Sequence, residues 1–149
     1  MTDAKPQVTE QQLREDMAML DNAKAQLDAL TKQQQLIQLA VDEHVRARET
    51  VRALVKGAPG DEILIPLGAD SYAYAKVSDN RGAIVGIGAG VSLQKDPEEA
   101  EKFLDSKIDE LSRAFKTVTE RAQQVEGAIQ ELTDKVQTQY SALQGGSQA

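Results

Sequence analysis

Between Leu104 and Leu143 an apolar residue returns every three or four positions: Leu104, Ile108, Leu111, Phe115, Val118, Ala122, Val125, Ile129, Leu132, Val136, Gln139, Leu143. Only Gln139 breaks the apolar character. A strict 3.5-residue repeat keeps one stripe turned toward a partner helix, which is the pattern of a left-handed coiled coil. The spacing predicts a helix over 97–143, with Asp96 as N-cap, Pro97 in the first helical position, Glu99 three residues past the cap and Gly145-Gly146 after its end. A second run lies in the N-terminal half, through Leu13, Met17, Leu20, Lys24, Leu27, Leu30, Gln34, Ile37, Val41, His44, Arg48, Val51 and Val55. Here Lys24, Leu27 and Leu30 are two successive steps of three, a stammer that overwinds a coil locally. Thr9 with Gln12 supplies a capping box, and Gly57 followed by Pro59 stops the helix, giving 10–56.

Helices of equal length are expected to pair with each other, each spanning about 70 Å at 1.5 Å per residue. Charge indicates the direction. The end of the first helix carries Arg46, Arg48, Arg52 and Lys56, and the start of the second carries Asp96, Glu98, Glu99, Glu101 and Asp105. Antiparallel pairing sets these groups side by side, although each cluster also suits its own helix dipole.

The connector, 57–95, changes period from 3.5 to 2. It predicts four strands, Glu62–Leu67, Tyr72–Val77, Ala83–Ile87 and Val91–Gln94, with turns at Gly68–Ser71, Ser78–Gly82 and Gly88–Gly90. Gly86, Gly88 and Gly90 form G-x-G-x-G, which invites a nucleotide-binding reading. That reading needs a helix after the glycines to receive phosphate on its amides, whereas Val91-Ser92-Leu93-Gln94 alternates like a strand. A hairpin turn using Gly88 and Gly90 at positive φ accounts for the glycines. Ser78-Asp79-Asn80-Arg81-Gly82 lacks the alternating oxygen ligands of a calcium loop, and the twelfth position from Asp79 is Gly90 rather than glutamate.

The expected fold class is therefore mostly α with a small β component: a long antiparallel two-helix coiled coil with two central hairpins. Two hairpins on a thin helix pair leave apolar residues without cover, and isolated hairpins are marginal in water. Ile63, Ile65, Leu67, Ile84, Val85 and Ile87, with Tyr72, Tyr74, Val77, Val91 and Leu93 on the same strands, form the expected subunit-assembly surface. Joining strands of other chains into a closed barrel abolishes the edges, so an obligate oligomer is expected. At the free helix ends a two-helix seam hides its own stripe but not its flanks. Met19 and Tyr140 flank it there, and Lys24, Gln139 and Gly127 weaken it. Leu13, Met17, Met19, Leu20, Val136, Tyr140 and Leu143 are the candidate residues for holding an apolar partner, methionine being suited to adaptable surfaces. The alternative is that Leu13, Met17, Leu20, Val136 and Leu143 are ordinary coiled-coil core.

Little else in the chain supports chemistry. There is no cysteine, which excludes disulfides, thiolate metal sites and thiol nucleophiles. His44, the single histidine, sits at a seam position and cannot by itself build a zinc sphere. The carboxylates lie mostly on helix faces without a cleft to separate their pKa values. No catalysis, metal or cofactor is expected. A net charge of −7 argues against nucleic acid. The longest apolar run, Gly82 to Val91, is far short of the roughly 20 residues of a membrane span, so a soluble, cytoplasmic protein is expected.

The order long helix, hairpins built around EILIPLGADSYAYAKV and GAIVGIGAGVSLQ, and a second helix of equal length resembles the alpha class of the archaeal prefoldin family. The resemblance covers essentially the whole chain, and four strands match the two hairpins of alpha-type rather than the one of beta-type subunits. It implies an ATP-independent holdase chaperone: two alpha with four beta subunits joined through a β-barrel, six coiled-coil tentacles holding non-native polypeptide at their tips, and delivery to a group II chaperonin. A non-catalytic scaffold or spacer docked through its hairpins is the competing reading. On either reading the chain divides into helix 10–56, assembly region 57–95, helix 97–143 and a flexible tail 144–149.

Overall fold

The computed structural model describes residues 8–79 and 82–146. Its elements follow in the order α1 (Glu10–Lys56), β1 (Glu62–Gly68), β2 (Ser71–Lys76), β3 (Ala83–Gly88), β4 (Val91–Lys95) and α2 (Pro97–Gly146). Two long helices thus enclose two antiparallel hairpins in sequence, the fold class that the two periodicities predict. Thr9 caps α1 by accepting the Gln12 amide on its hydroxyl at 3.1 Å. At the start of α2 the Ala100 amide donates to the Asp96 carbonyl at 2.9 Å, the first bond of the helix.

Helix α1 ends at Lys56, just before Gly57, as the sequence predicts, whereas the end of α2 differs from the expectation. Gly57 does not end α1 by a left-handed turn, since positive φ first appears at Gly60 (φ 89°). A Cβ on Gly57 would lie 3.3 Å from Cγ2 of Val77 and 3.1 Å from the Ala53 carbonyl oxygen. The missing side chain thus lets the buried Val77 close over the end of α1. Helix α2 runs past 143 to Gly146, so the tail expected from 144 loses its first three residues to the helix. Gln144 donates to the Tyr140 hydroxyl at 2.9 Å across that last turn. Glycine in a helix costs only about 1 kcal/mol relative to alanine, too little to stop the last turn at Leu143. Residues 147–149 lie outside the described residues, as do positions 80 and 81 of the turn expected at Ser78–Gly82.

The described residues divide into two compact units, one made of 8–35 with 116–146 and the other lying within 36–115. In the first, the helices run antiparallel, Asp16 lying against Gln139 and Gln34 against Thr119. The side chains turned inward from α1 are Leu13, Asp16, Leu20, Ala23, Leu27, Leu30 and Gln34, while Met17 and Lys24 are exposed. This corrects the expected stammer. With Asp16 and Ala23 in place of Met17 and Lys24 the steps alternate three and four throughout, and no overwinding is needed. Hydrophobicity alone selects Met17, because a carboxylate is costly in a seam unless it is paired, and here it is paired. The α2 positions Val118, Ala122, Val125, Ile129, Leu132, Val136, Gln139 and Leu143 are all turned inward, as the repeat predicts.

In the second unit the helix segments are again antiparallel, tied by Arg48 to Asp105 at 2.9 Å and Arg52 Nε to Glu101 at 2.7 Å. These are two of the pairings the charge pattern anticipates. A small core of Val51, Val85, Ala100 and Leu104, flanked by Val55, Ala83 and Phe103, joins β3 to both helices. The hairpins form two separate two-stranded sheets, β1 with β2 and β3 with β4. Their turns repeat one device. Gly68-Ala69-Asp70 and Gly88-Ala89-Gly90 each place three consecutive residues at positive φ, with Ala69 and Ala89 at 48° and 52°. Two central residues at positive φ make the tight turn whose twist matches antiparallel strands, and a bulge precedes each turn at Leu67 and Ile87.

Candidate functional site

The hairpins of the second unit follow from strand alternation. In β1 and β2, Leu64 pairs with Tyr74 and Pro66 with Tyr72. The side chains of Leu64, Tyr72 and Tyr74 are exposed, Tyr74 to 76%. The opposite face carries Ile63, Ile65, Ala73 and Ala75, half-buried. In β3 and β4, Ile84 is 79% exposed, and Ile87, Val91 and Leu93 are also exposed. Val77 and Val85 differ from the other assembly candidates because both are buried within the chain, Val85 in the core beneath β3. Leu64 belongs to the exposed set yet does not figure among the sequence candidates. The signal for it was the alternation of ILIPL, which places it opposite Ile63 and Ile65 and across from Tyr74.

Each sheet has only two strands, so every strand keeps one edge of backbone amides and carbonyls with no strand beside it among the described residues. Exposed apolar faces with open edges are what proteins ordinarily cover or pair. Two grooves run beside the hairpins. One lies between α1 and the first hairpin, lined by Val45, Thr50, Ala53, Leu64, Pro66 and Tyr72 among others. The second is lined by His44, Ala47, Val51, Ile84 and Phe103 among others. His44 has its Nδ1 2.6 Å from the Ala40 carbonyl, so that nitrogen donates within its own helix. The Arg48 and Arg52 pairs stand beside this region, and the hydrogen bond to Glu101, with the surrounding carboxylates, raises the pKa of Arg52 despite partial desolvation.

In the first unit an open groove at the helix ends is lined by Glu10, Leu13, Arg14, Met17, Tyr140, Leu143 and Gln144. Four of the seven candidates for holding an apolar partner therefore meet in it. Leu13 and Leu143 form its half-buried floor, and Met17 and Tyr140, about half exposed, form its walls. Leu20 and Val136 are half-buried seam residues outside the groove, and Met19 is exposed away from it. Next to the floor lies a polar contact that the apolar repeat conceals. Asp16 Oδ2 accepts from Gln139 Nε2 at 2.7 Å and lies 3.1 Å from Lys135 Nζ. Gln139, and then Lys135, hold the Asp16 carboxyl below its ordinary pKa, outweighing desolvation.

The glycine motif is resolved by geometry. Gly88 and Gly90 stand at φ 112° and 74° in a turn from strand to strand, so no helix N-terminus follows to receive a phosphate. Among the described residues there is no cluster of histidines and carboxylates suited to a metal ion, and no helix is long and apolar enough to cross a membrane.

Comparison with known proteins agrees with this architecture. The family model described as Prefoldin subunit matches residues 23–142. The prefoldin subunit alpha of Methanothrix thermoacetophila is 34% identical over 114 residues, 76% of this chain and 74% of the relative. That of Methanocorpusculum labreanum is 30% identical over 136 residues, 91% of this chain and 92% of the relative. Among solved structures, the crystal structure of the prefoldin beta subunit from Thermococcus strain KS-1 has the same fold. It aligns with a TM-score of 0.58 at 16% identity, covering 93% of this chain and 96% of that one.

Proposed function

The chain belongs to the alpha class of the prefoldin family of non-enzymatic chaperones, and from that premise we propose that it is the alpha subunit of a cytoplasmic, ATP-independent holdase. In this reading two such chains assemble with four beta subunits through their hairpins, hold non-native polypeptides at the helix ends, and pass them to a group II chaperonin. The observation that carries it is the distribution of exposed apolar side chains. Leu64, Tyr72, Tyr74 and Ile84 stand on sheets with open edges, and Met17 and Tyr140 flank a groove at the helix ends. The first set suits strand-to-strand closure between subunits, which removes edges. The second suits weak, adaptable capture, since methionine is flexible and polarizable and tyrosine offers a large rigid face.

The test is aggregation of an unfolding reporter protein in the presence of the assembled complex, without nucleotide. Protection is expected for the native chain, and a chain with Met17, Met19 and Tyr140 all changed to Gln should assemble normally yet protect poorly. Full protection by that variant would remove the helix ends from client capture. It would favour the spacer reading, in which the hairpins dock the chain and the helices only form a coiled coil.

A further inference from the structure

Near its N-terminus α1 offers two competing seams. Leu13, Leu20 and Leu27 belong to both; one inserts Asp16 and Ala23 between them, the other Met17 and Lys24. Adjacent helical residues are about 100° apart, so the two arrangements differ by a modest roll of the helix about its axis. At the level of positions 16 and 17, burial of apolar surface favours methionine inside. The structure has the opposite arrangement, with Asp16 8% exposed and Met17 48% exposed.

Among the described residues, the groups on α2 that reward this choice are Gln139 and Lys135, both on Asp16 Oδ2. The arrangement also leaves a polar atom unsatisfied. Gln139 Oε1 is buried without a hydrogen-bond partner among the described residues, and a buried polar atom left unpaired is destabilising. Polar seam residues of this kind are best known for fixing the setting of helices at some cost in stability.

We propose that Asp16, Gln139 and Lys135 form a rotational lock that turns Met17 outward and so holds open the apolar groove shared with Tyr140. Asp16 and Gln139 are positioning residues here: they stand behind the groove and decide which side chain α1 presents to it. The inference rests on the capture reading only for its consequence, since the lock itself is a statement about which residue faces the seam.

The test uses the full chain in its assembled complex and reads methionine oxidation by dilute peroxide, peptide by peptide. Methionine oxidation follows exposure, and Met19, exposed in either arrangement, is the internal reference. Gln139→Leu removes the donor from Asp16 and offers an apolar surface instead. It should let Met17 roll inward, so that its oxidation relative to Met19 falls by about threefold or more, with thermal stability unchanged or raised. Aggregation suppression should fall with it. Asp16→Asn supplies a side-chain amide able to donate to Gln139 Oε1, and should keep Met17 as reactive as in the native chain. Unchanged relative oxidation of Met17 in Gln139→Leu overturns the lock. So does a loss of Met17 reactivity in Asp16→Asn as large as in Gln139→Leu. If Met17 is protected as expected but suppression stays at the native level, the lock stands and the capture reading of the groove fails.

Discussion

Leu104→Ala tests the small core that ties β3 to the helices. Leu104 is buried among Val51, Val85 and Ala100 while also holding a seam position of α2. The substitution removes three carbon atoms, which at about 0.8 kcal/mol per buried methylene forfeits about 2.4 kcal/mol of transfer energy. A sealed cavity would add a further penalty that grows with its volume. Here Leu104 also lines the open groove shared with His44, Ala47 and Ile84, so the vacated space joins that groove and the added penalty is small. The expected loss is therefore about 2–3 kcal/mol, at the low end of the leucine-to-alanine range. For a chain of this size that corresponds to a fall in melting temperature of about 5–10 °C. Circular dichroism melts and urea unfolding of the native and variant chains measure it. Amide exchange in β3 should accelerate more than in β1, because Val85 rests on the same cluster. A loss below about 1 kcal/mol, or equal acceleration in both hairpins, would refute the claim that this cluster anchors β3.

Three further outcomes follow from local geometry. Gly127 lies inside α2 with nothing near the position a Cβ would take, so Gly127→Ala should stabilise the chain by about 1 kcal/mol in urea unfolding. Ala69 is held at φ 48° in the first position of its turn, where asparagine is preferred, and Ala69→Asn should raise stability by about 0.5–1 kcal/mol without altering assembly. Asp16 has its pKa lowered by Gln139 and Lys135, so the unfolded chain takes up the proton first as pH falls. The contribution of Asp16 to stability is complete above its unfolded pKa of about 3.9 and is lost as pH drops through the lower folded value. Unfolding measured across acidic pH should show that limb in the native chain and lack it in Asp16→Asn.

How far the sequence reveals this structure depends on whether a position is decided locally. The start of α1 is legible because Thr9 and Gln12 make their hydrogen bond within one turn, and the hairpins because their strands alternate around glycines that positive φ requires. The α2 seam is legible because eleven of its twelve repeat positions are apolar. The α1 seam is not, because Asp16 is inward only by virtue of Gln139 and Lys135, more than a hundred residues later. Ranking neighbours by hydrophobicity puts Met17 and Lys24 inside and manufactures a stammer. The same non-locality hides the division among hairpin residues. Val85 and Ile84 are adjacent and equally apolar, yet one meets Leu104 and the other faces outward, a distinction fixed by which side of β3 the helices occupy. The role of Gly57 is likewise decided by Val77, twenty residues on.

The hairpin surface is proposed for other subunits and the helix-end groove for clients, and photo-cross-linking separates the two directly. A photoreactive phenylalanine analogue is placed at Tyr140 in one preparation of the assembled complex and at Ile84 in another, and each is illuminated with an unfolded reporter present. Position 140 is expected to join to the reporter and position 84 to a neighbouring subunit. Cross-links to the reporter from position 84, with none from position 140, would contradict that assignment.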